Sequence, residues 1–136
     1  MAESTFTFPY QYIEIEEGKI LNPLLKIPIK ASFGWQDLWF LLDSGADITM
    51  LTTSLADQLG LSYDRKKSTI LHGIGENTIK AYPGRIALKL GGKEILVRVY
   101  FSSENESTLL LGRLDIFSTF DIIFQTSIQH IVFKRI

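Results

Sequence analysis

Apolar and polar residues alternate over Tyr12-Ile13-Glu14-Ile15-Glu16, over Leu25-Lys26-Ile27-Pro28-Ile29-Lys30 and over Arg85-Ile86-Ala87-Leu88-Lys89-Leu90. A period of two sends alternate side chains to opposite faces, so each run predicts a half-buried β-strand. Turn chemistry separates such runs at Glu17-Gly18, Phe33-Gly34, Pro83-Gly84 and Gly91-Gly92. Spacings this short suit hairpins rather than the long crossovers that parallel strands need, so the prediction is an all-β, mostly antiparallel architecture. A helical pattern stands out at Thr53-Ser54-Leu55-Ala56-Asp57-Gln58-Leu59-Gly60. There a hydroxyl can cap the start, Leu55 and Leu59 share a face, and Gly60 can terminate the helix. A second short helix is expected from Leu114 to Phe120. The polar run Ser102 to Ser107 reads as a surface loop between two apolar runs. The tail, Ile122-Ile123-Phe124 and then Ile128-Gln129-His130-Ile131-Val132-Phe133, reads as two strands.

Length and composition narrow this to one unit. A chain of 136 residues that is 46% hydrophobic can build a real core and has little room for a second one, so residues 1–136 are expected to form a single domain. Neither an internal repeat nor a low-complexity tract interrupts it. Fourteen basic and fifteen acidic residues give a net charge of -1, which offers no broad attraction to nucleic acid or an anionic membrane. Cysteine is absent, which excludes a disulfide framework, a thiolate metal site and a cysteine nucleophile. His72 and His130 are too few and too scattered to suggest zinc. The N-terminal residues lack the basic start and apolar core of a signal peptide, and the longest apolar run, Leu38 to Leu42, falls far short of a membrane span. The expectation is a soluble, cytoplasmic protein without cofactor or metal.

Chemistry concentrates at one point. The apolar run Trp39-Phe40-Leu41-Leu42 delivers Asp43 into Ser44-Gly45, a pair that turns the backbone sharply. A carboxylate at the end of a buried strand is costly unless it is hydrogen-bonded, paired or chemically needed. Taken alone, Asp-Ser-Gly more often opens a turn or caps a helix. Here, however, Leu41-Leu42-Asp43-Ser44-Gly45-Ala46-Asp47-Ile48-Thr49 resembles the active-site signature of aspartic peptidases, and of the retroviral, retropepsin branch in particular. Downstream, His72-Gly73-Ile74-Gly75-Glu76-Asn77 resembles the glycine-rich tip of that family's flap hairpin. Leu109-Leu110-Leu111-Gly112-Arg113 resembles its second landmark, an apolar strand ending in Gly-Arg ahead of a short helix. The three stand in the family's order, and the resemblance spans roughly Pro23 to Phe124.

The resemblance implies a retropepsin-like, closed barrel-like all-β fold with a flap hairpin and one or two short helices. It also implies an aspartic endopeptidase. Two carboxylates share one proton across a water, one acting as general base and the other as acid towards the scissile carbonyl. This chain has one Asp-Ser-Gly, so the second Asp43 has to come from a symmetry mate, and the expected partners are a second copy of the chain and a polypeptide substrate. Repulsion separates the titrations of two such carboxylates and leaves one proton on the active pair, which predicts a mildly acidic optimum. By the same resemblance Asp43 is catalytic, and Ser44, Gly45 and Ala46 form the active-site loop. Asp47 and Arg113 form an ion pair beside it. Leu41, Asp47, Gly73, Ile74, Gly75 and Leu110 contact substrate.

The chain departs from the retroviral pattern at both ends. An extension over residues 1–21, expected to include a strand, precedes the first matching strand, and residues 117–136 continue as strands well past the short helix. In retroviral enzymes the termini make the dimer sheet, so longer termini predict a differently built interface. The alternative function is a catalytically silent domain of the same fold that binds protein or peptide.

Overall fold

The computed structural model describes residues 4–72 and 77–136. Strands β1 (Thr5–Pro9), β2 (Gln11–Ile15), β3 (Gly18–Asn22), β4 (Leu24–Ala31), β5 (Gly34–Leu42) and β6 (Thr49–Thr52) precede helix α1 (Thr53–Leu59). Strands β7 (Thr69–His72), β8 (Thr78–Leu90), β9 (Lys93–Ser102), β10 (Leu110–Leu111), β11 (Phe120–Gln125) and β12 (His130–Arg135) follow, with a 3-10 turn at Thr126–Ile128 ahead of the last.

Seven strands make one sheet in the order β4-β5-β10-β6-β9-β8-β7, and a bridge from Ile29 to Leu88 joins β4 to β8. That bridge closes the ring from β4 round to β8 and leaves β7 outside it. The result is the closed barrel-like all-β fold expected. The alternation in the sequence decides which residues fill it: Leu25, Ile27 and Ile29 from β4 and Ile86, Leu88 and Leu90 from β8 turn inward with Phe40 and Phe101. Two pairings are parallel, β10 with β5 and β6 with β9. Hairpin spacing cannot signal these, because the partners are far apart in sequence. Helix α1 forms where the pattern put it. Thr52 caps it, its hydroxyl accepting from Leu55 N–H at 3.2 Å, while Ala56 and Leu59 are buried.

Four expectations need correction. Pro83-Gly84 is not a turn but lies within β8, opposite Tyr100 and Val99 of β9. A Cβ on Gly84 would come within 2.6 Å of the Phe101 ring, so this glycine marks a close approach inside a strand. Leu114 to Thr119 make successive turns and no helix, and Phe120 already starts β11. Asp115 there takes φ +67°, in the left-handed region that Asp tolerates and a continuing helix cannot use. Ile128 belongs to the 3-10 turn ahead of β12, so the last strand starts later than expected. Finally, β2 is not half-buried against the core. Among the described residues it pairs only with β3, and Ile13, Ile15 and Ile20 remain exposed on one face of this ribbon.

The two ends of the chain meet. Strand β1 pairs antiparallel with β12, and β12 with β11, in a separate three-stranded sheet. Phe6 and Phe8 stack on or against Phe133, with ring centroids 5.2 and 5.3 Å away, and Phe6 meets Phe120 edge-on. This cluster continues the barrel core, since Phe120 and Phe133 are buried in it. Among the described residues no helix is long and apolar enough to cross a membrane.

Candidate active site

Strand β5 runs from solvent into the core: Trp39 is exposed, Phe40 and Leu42 are buried, and the chain then emerges at half-buried Asp43. Each bond at that point is accounted for by a neighbour. Leu42 N–H donates to the Pro23 carbonyl at 2.9 Å, and Asp43 N–H to the Leu111 carbonyl at 3.0 Å. The Asp43 carbonyl accepts from Ala46 N–H at 3.1 Å, closing a tight turn, and its carboxylate Oδ1 accepts from Gly45 N–H at 2.9 Å. Among the described residues Oδ2 receives no donor. The turn thus holds one carboxylate oxygen of Asp43 in place.

A second loop braces the first. Gly112 N–H donates to the buried Thr49 hydroxyl at 3.0 Å, Arg113 N–H to the Ala46 carbonyl at 2.9 Å, and Leu114 N–H to the Asp47 carbonyl at 2.9 Å. The Arg113 guanidinium pairs with the Asp47 carboxylate. Both side chains are exposed, and an ion pair in water adds little stability. The backbone bonds beside it hold the two loops together. Gly112 is required by this proximity, since a Cβ there would lie 2.5 Å from the Ile48 backbone.

Beside this brace lies a cavity of about 420 Å³ walled by Gly45, Ala46, Asp47, Ile48, Met50, Tyr100 and Leu110, together with Ile70, Leu71 and His72 from β7. The structure therefore brings Gly45, Ala46, Asp47 and Leu110 to one cavity, next to Asp43. Leu41 does not line it; it sits between Leu24 and Leu110 in the sheet. Ser44 is exposed on the turn. Gly73, Ile74 and Gly75 lie outside the described residues, although the stem that carries them, β7 paired with the start of β8, borders the cavity.

Sequence reasoning missed Thr49, Met50, Tyr100 and the ties made by Asn105. Thr49 had a signal, a lone hydroxyl among the apolar residues Ile48, Met50 and Leu51, and the structure buries it fully. Asn105, in the loop before β10, accepts from Ser54 N–H at 3.0 Å and from the Thr53 hydroxyl at 3.2 Å, and so fixes that loop to α1. Nothing in a polar, turn-rich run marks which residue will do this. Among the described residues no group of acidic and histidine side chains could hold a metal ion.

Comparison with known proteins agrees with this geometry. The aspartyl protease family matches residues 29–113, well over half the chain. No curated protein matches it. Among solved structures, a retropepsin-like aspartic protease from Rickettsia conorii superposes with a TM-score of 0.61 at 17% identity, over 94% of this chain and 97% of that one. EIAV protease complexed with the inhibitor HBY-793 gives a TM-score of 0.53 at 24% identity, over 68% and 82%. The retroviral protease-like domain of Ddi1 from Leishmania major gives 0.51 at 20%, over 76% and 82%. At such identities the likeness is one of fold, while the family match rests on the sequence that contains Asp43 and its bracing loop. On both grounds, the chain belongs to the aspartyl protease family and has its retropepsin-like fold.

Proposed function

We propose that this chain is one half of an aspartic endopeptidase, in which Asp43 and Asp43 of a second copy hold and activate the water that attacks a peptide bond. The observation that carries this reading is the Asp43 turn: Oδ1 is fixed by Gly45 N–H, and no described donor takes Oδ2. A fixed carboxylate with one free oxygen is suited to bind a water, and a second carboxylate supplies the proton that the scissile carbonyl needs. Gly45 brings substrate backbone close, Ala46 and Asp47 flank it, Leu110 offers apolar contact, and Gly73, Ile74 and Gly75 contact it as well. Incubation with an unstructured protein at mildly acidic and neutral pH, with and without pepstatin, tests the reading. Pepstatin-sensitive cleavage supports it, and no cleavage by a confirmed dimer at either pH removes it.

The second copy needs a surface close to Asp43, and the β2–β3 ribbon provides one. Its base is Pro23, whose carbonyl accepts from Leu42 N–H, one residue before Asp43. Ile13 and Ile20 face each other across the ribbon, with Ile15 on the same face, and all three are exposed by 41–44%. An apolar face at the root of a half-site gains by being covered by the other half.

A silent binding domain is the second reading, favoured by one observation: β1 and β12 are paired within the chain, so these strands already have partners in a single copy. Sedimentation separates the two. A chain that stays monomeric at about 50 μM, where a standard-sized interface associates, favours the silent domain.

A further inference from the structure

On the outer face of the barrel, β8 and β9 place Arg85 directly opposite Arg98. Like charges facing each other across strands destabilise a sheet. Asp115 relieves one of them: its carboxylate accepts from Arg98 N–H at 2.9 Å, from Nε at 3.0 Å and from Nη2 at 2.8 Å. One carboxylate cannot make the same fork with Arg85, and among the described residues no ion pair includes Arg85 or Lys67.

These cations line a cavity of about 430 Å³ together with Ile48, Asp64, Pro83, Gly84, Val99, Tyr100 and Leu114. Its walls carry Lys67, Arg85 and Arg98 against the single carboxylate of Asp64. Asp64 Oδ1 is already occupied by Lys66 N–H at 3.0 Å. Ile48 and Tyr100 belong to both this cavity and the one beside Asp43, so the two adjoin across these side chains. An extended peptide advances roughly 3.3 Å per residue, and a chain that fills the first cavity reaches the second within a few residues.

We propose that this second cavity is a subsite for an acidic side chain of the polypeptide, its carboxylate held by Arg85 with Lys67 and its methylenes lying on Ile48, Tyr100 and Leu114. The inference rests on the peptidase reading and adds to it a preference for Asp or Glu at one position away from the scissile bond. A guanidinium suits this because it binds a carboxylate through two parallel N–H bonds, which fixes geometry as well as charge.

Cleavage-site profiling on a peptide mixture from digested cell protein tests it. The expected result is an enrichment of Asp and Glu at one fixed position, lost in Arg85→Ala and turned towards Lys and Arg in Arg85→Glu. For a substrate with Glu there, Arg85→Ala raises KM about tenfold, with a smaller effect on kcat. No acidic enrichment, or enrichment unchanged by Arg85→Ala, overturns the proposal. If no peptide is cleaved, the peptidase reading fails on its own, and binding decides the subsite. Labelled deca-glutamate is titrated into the Asp43→Asn chain with and without Arg85→Glu. Binding at low salt that Arg85→Glu removes supports the site, and equal or absent binding in both overturns it. Arg85 is exposed, so these variants fold, and a melting temperature within a few degrees of wild type verifies this.

Discussion

Gly112 has no side chain because the Ile48 backbone occupies the place of one. Gly112→Ala forces the Asp43 loop and its brace apart or strains both, an overpacking expected to cost about 1–3 kcal/mol. Thermal unfolding of the variant reads this as a lower melting temperature, and no loss would mean that the loops can part freely. Asp43 is the contrasting case, a residue whose bonds to the fold are mostly backbone bonds. Asp43→Asn is therefore expected to leave stability nearly unchanged and to lower turnover by about 10²-fold or more, the range for loss of a positioned acid–base group. Initial rates on the same substrate, beside melting curves, check both halves. Asp115 sets a pH limit. Its hydrogen bonds from Arg98, chiefly the side-chain ones, hold its carboxyl below the ordinary 3.8. A carboxyl lowered in the folded state stabilises fully above its unfolded value and loses that contribution as pH falls through the folded one. Asp115→Asn should thus lower the melting temperature at pH 7, and the gap to wild type should shrink as pH falls below about 4.

At the scale of elements, the period-two runs of β4 and β8 were legible because each has one face in the core, so burial wrote itself into the alternation. The same pattern in β2 was misread. Alternation reports that a strand has an apolar face, and says nothing of whether the covering layer belongs to the same chain. The β2–β3 ribbon has such a face, which the described residues leave partly exposed, and this makes it the element to test for assembly. If two copies associate through this face, Ile13→Lys with Ile20→Lys should shift sedimentation from dimer to monomer without lowering the melting temperature when dilute. A dimer that persists would assign assembly to another surface. Pro83-Gly84 was misread for a related reason. Proline and glycine mark places where the backbone is unusual, and here the cause is the ring of Phe101 pressing on β8, a neighbour from another strand.

For the whole molecule, the decisive fact is that a single copy holds a single Asp43. If two copies share the site, activity per chain should rise with concentration and level off once the dimer is complete. Rates over a dilution series, set beside sedimentation on the same samples, check this. A rate per chain that stays constant through dissociation would mean that one copy suffices. What the sequence determined by itself was local: the strand that ends at Asp43, the turn chemistry of Ser44-Gly45 and the capped helix after Thr52. Each depends on residues close in the chain, where periodicity and turn preference act. The Asp47–Arg113 pair was the exception, reached through resemblance to a family rather than through spacing. Only the tertiary structure decided the parallel pairings of β5 with β10 and β6 with β9. It alone decided that Gly112 must lie under Ile48, that β1 and β12 close on each other, and that Arg85 meets Arg98 beside a cavity. The first three join residues distant in sequence, where no local pattern acts; Arg85 and Arg98 share the hairpin that turns at Gly91-Gly92, but Ile48, Asp64 and Leu114 complete their cavity from elsewhere in the chain.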